Sequence, residues 1–172
     1  MRIRNAVADD LAPITTLYNH YVTTSSATFD LEPVTCEQRR PWFEQFAESG
    51  PWQLLVGETV SADDGALIGF ACSTPLRPRA AYRRSVETTI YLAPDAAGRG
   101  LGATLYRALL DALAAAGVHR AYGVVTVPNP ASTALHEKLG YERVGRLSEC
   151  GWKFERWWDV AWYEYRFGTE AR

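Results

Sequence analysis

Apolar and polar positions alternate along this chain with two periods, and the switches between them outline its elements. Ile3 to Val7 predicts a first strand. Leu11, Ile14, Leu17, Tyr18 and Tyr21 recur at helical spacing behind Asp9-Asp10, which can cap a helix. Thr23 to Thr28 is a polar, β-branched loop leading to Phe29. Cys36 to Ala47 predicts a second helix with Trp42, Phe43 and Phe46 as its apolar stripe. Leu54 to Val56 and Ala66 to Cys72 predict two strands, with a hairpin turn over Glu58 to Gly65. Val86 to Leu92 predicts a fourth strand and Thr104 to Ala116 a helix. Ala121 to Val127 reads as a buried strand, and Ser132 to Leu139 as a short helix closed by Gly140. Arg143 to Phe167 supplies two last strands joined through Gly151 to Arg156.

The order is β-α-α-β-β-β-α-β-α-β-β. Hairpins come first and a βαβ crossover follows, which makes an α+β single domain over residues 1–172 with a mixed, mostly antiparallel sheet flanked by helices. The sequence has no internal repeat, linker or low-complexity run.

Between the fourth strand and its helix lies Ala97-Gly98-Arg99-Gly100-Leu101-Gly102-Ala103. A helix N-terminus carries unpaired N–H groups and the positive end of a dipole, and glycine lets a bulky anion approach them. The segment reads as a cradle for a pyrophosphate. It is neither G-x-G-x-x-G nor G-x-x-x-x-G-K-[ST], and it lies past the middle of the chain, away from where a Rossmann loop stands. On local grounds a tight turn with close packing remains the alternative.

Composition narrows the classes. With 47% hydrophobic and 22% charged residues the chain is that of an ordinary globular domain. A net charge of −2 argues against a nucleic-acid binder that works by neutralising phosphates. No apolar run approaches the roughly 18 residues of a membrane span. Met1 to Asn5 enters a strand pattern without the apolar core of a secretory leader. Cys36, Cys72 and Cys150 are far apart and odd in number, so reduced thiols and a cytoplasmic setting are expected. His20, His119 and His136 show no metal-ligand spacing, and no metal is expected.

Several segments together carry a resemblance. They are Tyr18-Asn19-His20-Tyr21, Glu87 to Leu92, Gly100 to Tyr106, Pro128-Asn129-Pro130, His136 to Tyr141, Gly151-Trp152-Lys153 and Trp157-Trp158-Asp159-Val160. In this order the chain resembles the GNAT N-acetyltransferases, and among them the phosphinothricin and methionine-sulfoximine group. The likeness runs from about residue 3 to 167. It implies acetyl-CoA as co-substrate, with Gly98, Arg99, Gly100, Leu101, Gly102 and Ala103 at the pyrophosphate. It further implies main-chain bonds from Ile90, Tyr91 and Leu92 to the pantetheine arm, with Asn129 and Ser132 also at the cofactor. The family pattern Gln/Arg-x-x-Gly-x-Gly/Ala begins here on Ala97, which removes one side-chain contact.

Acetyl transfer to an amine needs a group to take the ammonium proton and stabilisation for the thioester oxygen. The resemblance makes Glu87 the general base; its alternative is a strand-end glutamate paired with Arg83 or Arg84. His136 stands where many relatives have a tyrosine said to protonate the leaving thiolate, and acid, base or local packing all stay open for it. Asn129 is both a pantetheine contact and a turn residue. Arg79 and Tyr82 align with positions facing the acceptor, whereas Arg77, Arg83 and Arg84 read as a solvated basic loop. Phe29 and Thr28 align with the opposite wall, and Lys153 approaches from the tail or from a partner subunit. Leu76 replaces a tryptophan common in relatives.

The expected activity is therefore N-acetylation of a small polar or anionic amino acid such as phosphinothricin, methionine sulfoximine or methionine sulfone. A polyamine, peptide or protein amine as acceptor, or a non-catalytic acyl-CoA-binding module, are the competing readings. Trp152, Trp157, Trp158, Trp162, Tyr163 and Tyr165 exceed what one hairpin buries, so a homodimer is expected, with a domain core as the alternative. No nucleic-acid or membrane partner is expected.

Overall fold

The computed structural model describes residues 1–60 and 65–168. Its elements are β1 (Arg2–Asn5), α1 (Leu11–Thr24), α2 (Cys36–Phe43), β2 (Leu54–Glu58), β3 (Leu67–Pro75), β4 (Ser85–Leu92), α3 (Leu101–Ala115), β5 (Arg120–Val127), α4 (Pro130–Leu139), β6 (Glu142–Lys153) and β7 (Arg156–Arg166). The order matches the sequence expectation element for element. All seven strands form one sheet, β1-β2-β3-β4-β5-β7-β6. Every pairing is antiparallel except that of β4 with β5.

Side chains on a strand alternate between faces, so the sheet carries two cores. Leu105, Leu109, Leu110 and Leu113 of α3 pack on Val86, Ala121, Val125 and Tyr163. On the other face Ile14, Leu17, Tyr18 and Val22 of α1 pack on Leu54, Val56, Phe70 and Tyr91. β4 splits between them: Val86 and Ile90 look toward α3, and Tyr91 toward α1.

Local expectations shift at the element ends. Asp10 makes no side-chain cap on α1. Its carboxylate instead accepts from the Val7 N–H at 2.7 Å and from Arg4 at 2.6 and 2.9 Å, because a buried acid there gains more from a guanidinium than from a helix end. α2 opens on a capping box in which Thr35 and Gln38 satisfy each other's N–H groups, and it stops at Phe43, short of Ala47. α3 starts three residues earlier than the periodicity placed it, at Leu101. Gly140 does end α4 in the left-handed region, with φ of 93°. The turn expected over Glu58–Gly65 lies partly on residues 61–64, outside the described residues.

The tail hairpin turns at Phe154-Glu155, both left-handed with φ of 53° and 57°. Gly151 lies inside β6 instead of in that turn. Its missing side chain makes room for the Phe29 ring, since a Cβ there would stand 2.2 Å from Phe29 Cζ.

Candidate active site

Pairing between β4 and β5 begins at Ser85–Arg120 and ends at Thr88–Gly123. Both strands continue, β4 to Leu92 and β5 to Val127, while their outer edges stay paired with β3 and β7. The two strands therefore diverge, and the facing edges beyond Thr88 and Gly123 have no ladder partner among the described residues. An extended polar chain laid between them meets backbone donors and acceptors as an added strand does.

A cleft of about 510 Å³ occupies this divergence. Thr88, Thr89, Ile90, Tyr91 and Leu92 form one wall, and Val124, Val125 and Thr126 the other. Gly98, Gly100, Gly102 and Ala103 close one end, and Asn129, Ser132, Leu135, His136 and Lys138 line α4's side.

The closed end is built for an anion. Gly100, with φ of 77°, is the N-cap of α3, a conformation that a side chain would disfavour. The first hydrogen bond of the helix runs from Thr104 N to Gly100 O, so the N–H groups of Leu101, Gly102 and Ala103 have no intrahelical acceptor. Gly102 lets this turn sit against β4, because a Cβ there would come 2.8 Å from Leu92 Cδ1. Asn129 caps α4, its Oδ1 accepting from Ser132 N at 3.1 Å. Arg99 and Leu101 lie outside the cleft lining.

His136 is buried beside the cleft. Its Nδ1 lies 2.8 Å from the Ser132 carbonyl, which only accepts, so Nδ1 carries the hydrogen. Nε2 faces the Tyr106 hydroxyl at 3.3 Å. Tyr106 in turn donates to Thr88 Oγ1 at 2.8 Å, and Tyr141 stands 2.8 Å from the same oxygen. Burial holds the imidazole below its ordinary pKa, partly offset by the Ser132 bond, and so favours the neutral ring.

Glu87 is elsewhere. It points to the opposite face of β4 and lines a second cavity of about 610 Å³ with Tyr18, Arg39, Trp42, Cys72, Leu76, Arg77 and Pro78. Burial raises its carboxyl above the ordinary value, and Arg77 offsets this in part. Arg84, one of its two alternative partners, donates to the Gly117 carbonyl instead. The cavities share Thr89 and Tyr91, so they meet across β4. Glu87 and His136 thus line two adjoining cavities and not the same one.

The other residues expected at the acceptor are distributed unevenly. Arg77 and Leu76 border Glu87's cavity, whereas Arg79 and Tyr82 stand on an exposed 3₁₀ turn outside its lining. Phe29 and Lys153 also lie outside its lining. The Lys153 ammonium, almost wholly buried, donates to the Thr28 carbonyl at 2.8 Å, and Thr28 Oγ1 meets the Tyr18 hydroxyl at 2.8 Å. Burial lowers the Lys153 pKa, and Asp30 works against that. Sequence reasoning missed Arg39, Trp42 and the Thr88–Tyr106–Tyr141 cluster. Among the described residues no group of three His, Cys, Asp or Glu side chains is placed to hold a metal ion.

Residues 14–141 match the family model described as acetyltransferase (GNAT) family. The chain belongs to the GNAT acetyltransferase family. A phosphinothricin N-acetyltransferase of Streptomyces coelicolor is 50% identical over 95% of each chain. An L-methionine sulfoximine/L-methionine sulfone acetyltransferase of Pseudomonas paraeruginosa is 33% identical over 94% of this chain and 92% of its own. A GNAT superfamily phosphinothricin acetyltransferase from Sinorhizobium meliloti, solved in complex with AcCoA, superposes with a TM-score of 0.91 at 33% identity, over 99% of this chain and 91% of that one. Within the GNAT frame the diverging strands and the free N–H groups of α3 fit a pantetheine arm and a pyrophosphate. No described helix is long and apolar enough to cross a membrane.

Proposed function

We propose that this GNAT enzyme transfers acetyl from acetyl-CoA to the amino group of a small polar or anionic amino acid, phosphinothricin, methionine sulfoximine and methionine sulfone among them. The observation that carries the reading is the junction at Thr89 and Tyr91. There the cleft fitted to acetyl-CoA meets a separate cavity holding a half-buried carboxylate and arginine side chains. An acceptor carrying both an amine and an acid complements that cavity better than a polyamine, which has no anion for the guanidinium groups.

Acetyl-CoA, when bound, supplies a thioester whose acyl carbon exchanges its C–S bond for a C–N bond to the amine, and CoA leaves as a thiol carrying the proton that the nitrogen sheds on becoming an amide. Glu87 takes the proton that the ammonium must lose before its lone pair is free. Burial raises its pKa toward the working pH, which strengthens it as a base. The free backbone edge of β4 beyond Thr88 offers N–H groups to the thioester oxygen, where charge develops. His136 has Nδ1–H tied to Ser132 and Nε2 turned to Tyr106, which supports a role in seating α4 against β5.

The whole chain acts as one domain, and three unpaired thiols suit a reducing, cytoplasmic setting. Trp152 and Trp157 are half exposed and packed on each other at 5.1 Å, a surface suited to a second copy in a homodimer. The mechanism is tested with Glu87→Gln. The expected result is unchanged acetyl-CoA affinity by calorimetry with turnover lowered about 10²- to 10⁴-fold. Equal turnover by the variant at neutral pH overturns the base assignment.

A further inference from the structure

Arg39 is the strongest feature of the acceptor cavity that the mechanism leaves unused. It lies on α2 three residues before Trp42, on the same helix face. Its Cζ stands 4.0 Å from the centre of the Tyr18 ring and 3.5 Å from that of Trp42. Two aromatic faces thus hold the guanidinium, and such stacking leaves its in-plane N–H groups free for an anion. No carboxylate pairs with it among the described residues. Its Nε is buried with no hydrogen-bond partner among them. A buried cationic donor left unpaired is costly and calls for a reason.

The reason lies in what shares the cavity. Arg39 and Arg77 face it together with Glu87, two guanidinium groups against one carboxylate. A ligand matched to that set presents a cation to Glu87 and an anion to the arginines. Asp30, whose charge acts on Arg39, is engaged by the Tyr18 hydroxyl at 2.6 Å.

We infer that Arg39 is the anion receptor of the acceptor pocket: its edge N–H groups bind a carboxylate or phosphinate oxygen of the amino acid whose amine faces Glu87. This rests on the acceptor class proposed above and names the residue that selects it. The stack on Tyr18 and Trp42 fixes the fork before the ligand arrives, so less rotamer freedom is lost on binding. Lysine, with no planar fork, does not replace it.

The test compares the parent enzyme with Arg39→Gln and Arg39→Lys on three acceptors: phosphinothricin, its α-carboxamide and methionine sulfone. Arg39→Gln is expected to raise the acceptor KM about 10- to 100-fold. The acetyl-CoA KM stays within about twofold, and Arg39→Lys falls between. If the bound anion is the α-carboxylate, methionine sulfone suffers as much as phosphinothricin, and the carboxamide loses nothing further. If it is the phosphinate, methionine sulfone is spared. An unchanged acceptor KM, or an equal loss for the carboxamide and both acids, overturns the inference. Should Arg39→Gln fail to fold, as judged by its thermal midpoint, the folded Lys variant decides by the same criterion. A parent enzyme that acetylates none of the three removes the acceptor class. Calorimetric binding of phosphinothricin to the parent but not to Arg39→Gln then still upholds the receptor, and no binding to the parent ends it.

Discussion

Gly123→Ala places a methyl group where the structure has no room for one. Gly123 is the last β5 residue paired with β4, and a Cβ on it would meet His136 Nε2 at 2.3 Å and Cδ2 at 2.5 Å. The ring cannot swing away cheaply. Nδ1 is held by the Ser132 carbonyl at 2.8 Å, and the rings of Tyr106, Tyr141 and Tyr163 surround it at 5.5, 5.0 and 5.4 Å between centroids. Overpacking a filled core costs about 1–3 kcal/mol, and an Nδ1 pulled off the Ser132 carbonyl costs a similar amount, so the net loss is about 2–6 kcal/mol. For a domain of this size that lowers Tm by about 4–24 °C. Gly145→Ala is the control, since nothing lies within 4 Å of a Cβ there. It should fall within about 0.5 kcal/mol of the parent. Calorimetric or urea unfolding of the three proteins decides the matter. Equal stability for Gly123→Ala and Gly145→Ala refutes the claim that His136 is wedged against β5.

Three further outcomes are expected. Glu87 has its folded pKa raised above the ordinary 4.5, so its charge opposes folding above the folded value, and this penalty fades as pH falls toward the unfolded one. Glu87→Gln should therefore be more stable than the parent at pH 7–8, with the difference shrinking toward about pH 4.5; a difference constant with pH contradicts the burial argument. Phe154 and Glu155 both occupy the left-handed region. Replacing them with Asn and Gly should stabilise the hairpin by about 1–2 kcal/mol in urea unfolding, and a loss of stability would show that the Phe154 side chain contributes more than its backbone costs. Trp157→Glu puts a charge on the exposed Trp152–Trp157 surface, and sedimentation should show a shift toward monomer if a second copy covers it. Identical sedimentation of variant and parent counts against that interface.

The sequence was most informative where one period held over a whole element. α1 and the body of α3 were legible because their apolar positions recur at helical spacing, and Gly140 marked the end of α4 through its left-handed backbone. The tail turn was not legible, since Phe154-Glu155 contains none of the residues that signal one; the nearest glycine, Gly151, instead serves the Phe29 ring. Nor could a one-dimensional pattern show that β4 and β5 part after Thr88, because pairing of distant strands is settled by tertiary packing. The pleat of β4 did hold a clue. Glu87 and Thr88 must face opposite ways, so a base at Glu87 and a histidine packed near Thr88 could not share one cavity wall. Arg39 was hidden among charged residues on a short helix, though its spacing from Trp42 would have paired the two on one face.

The measurement that tests the account most directly is release of CoA thiol from acetyl-CoA by the purified enzyme across a panel of acceptors. The panel holds phosphinothricin, methionine sulfoximine, methionine sulfone, plain amino acids, polyamines and a lysine peptide. Rapid release with the first three, and little with polyamines or peptide, is the predicted result. Release confined to polyamines or peptide, or none at all while acetyl-CoA still binds, would contradict it.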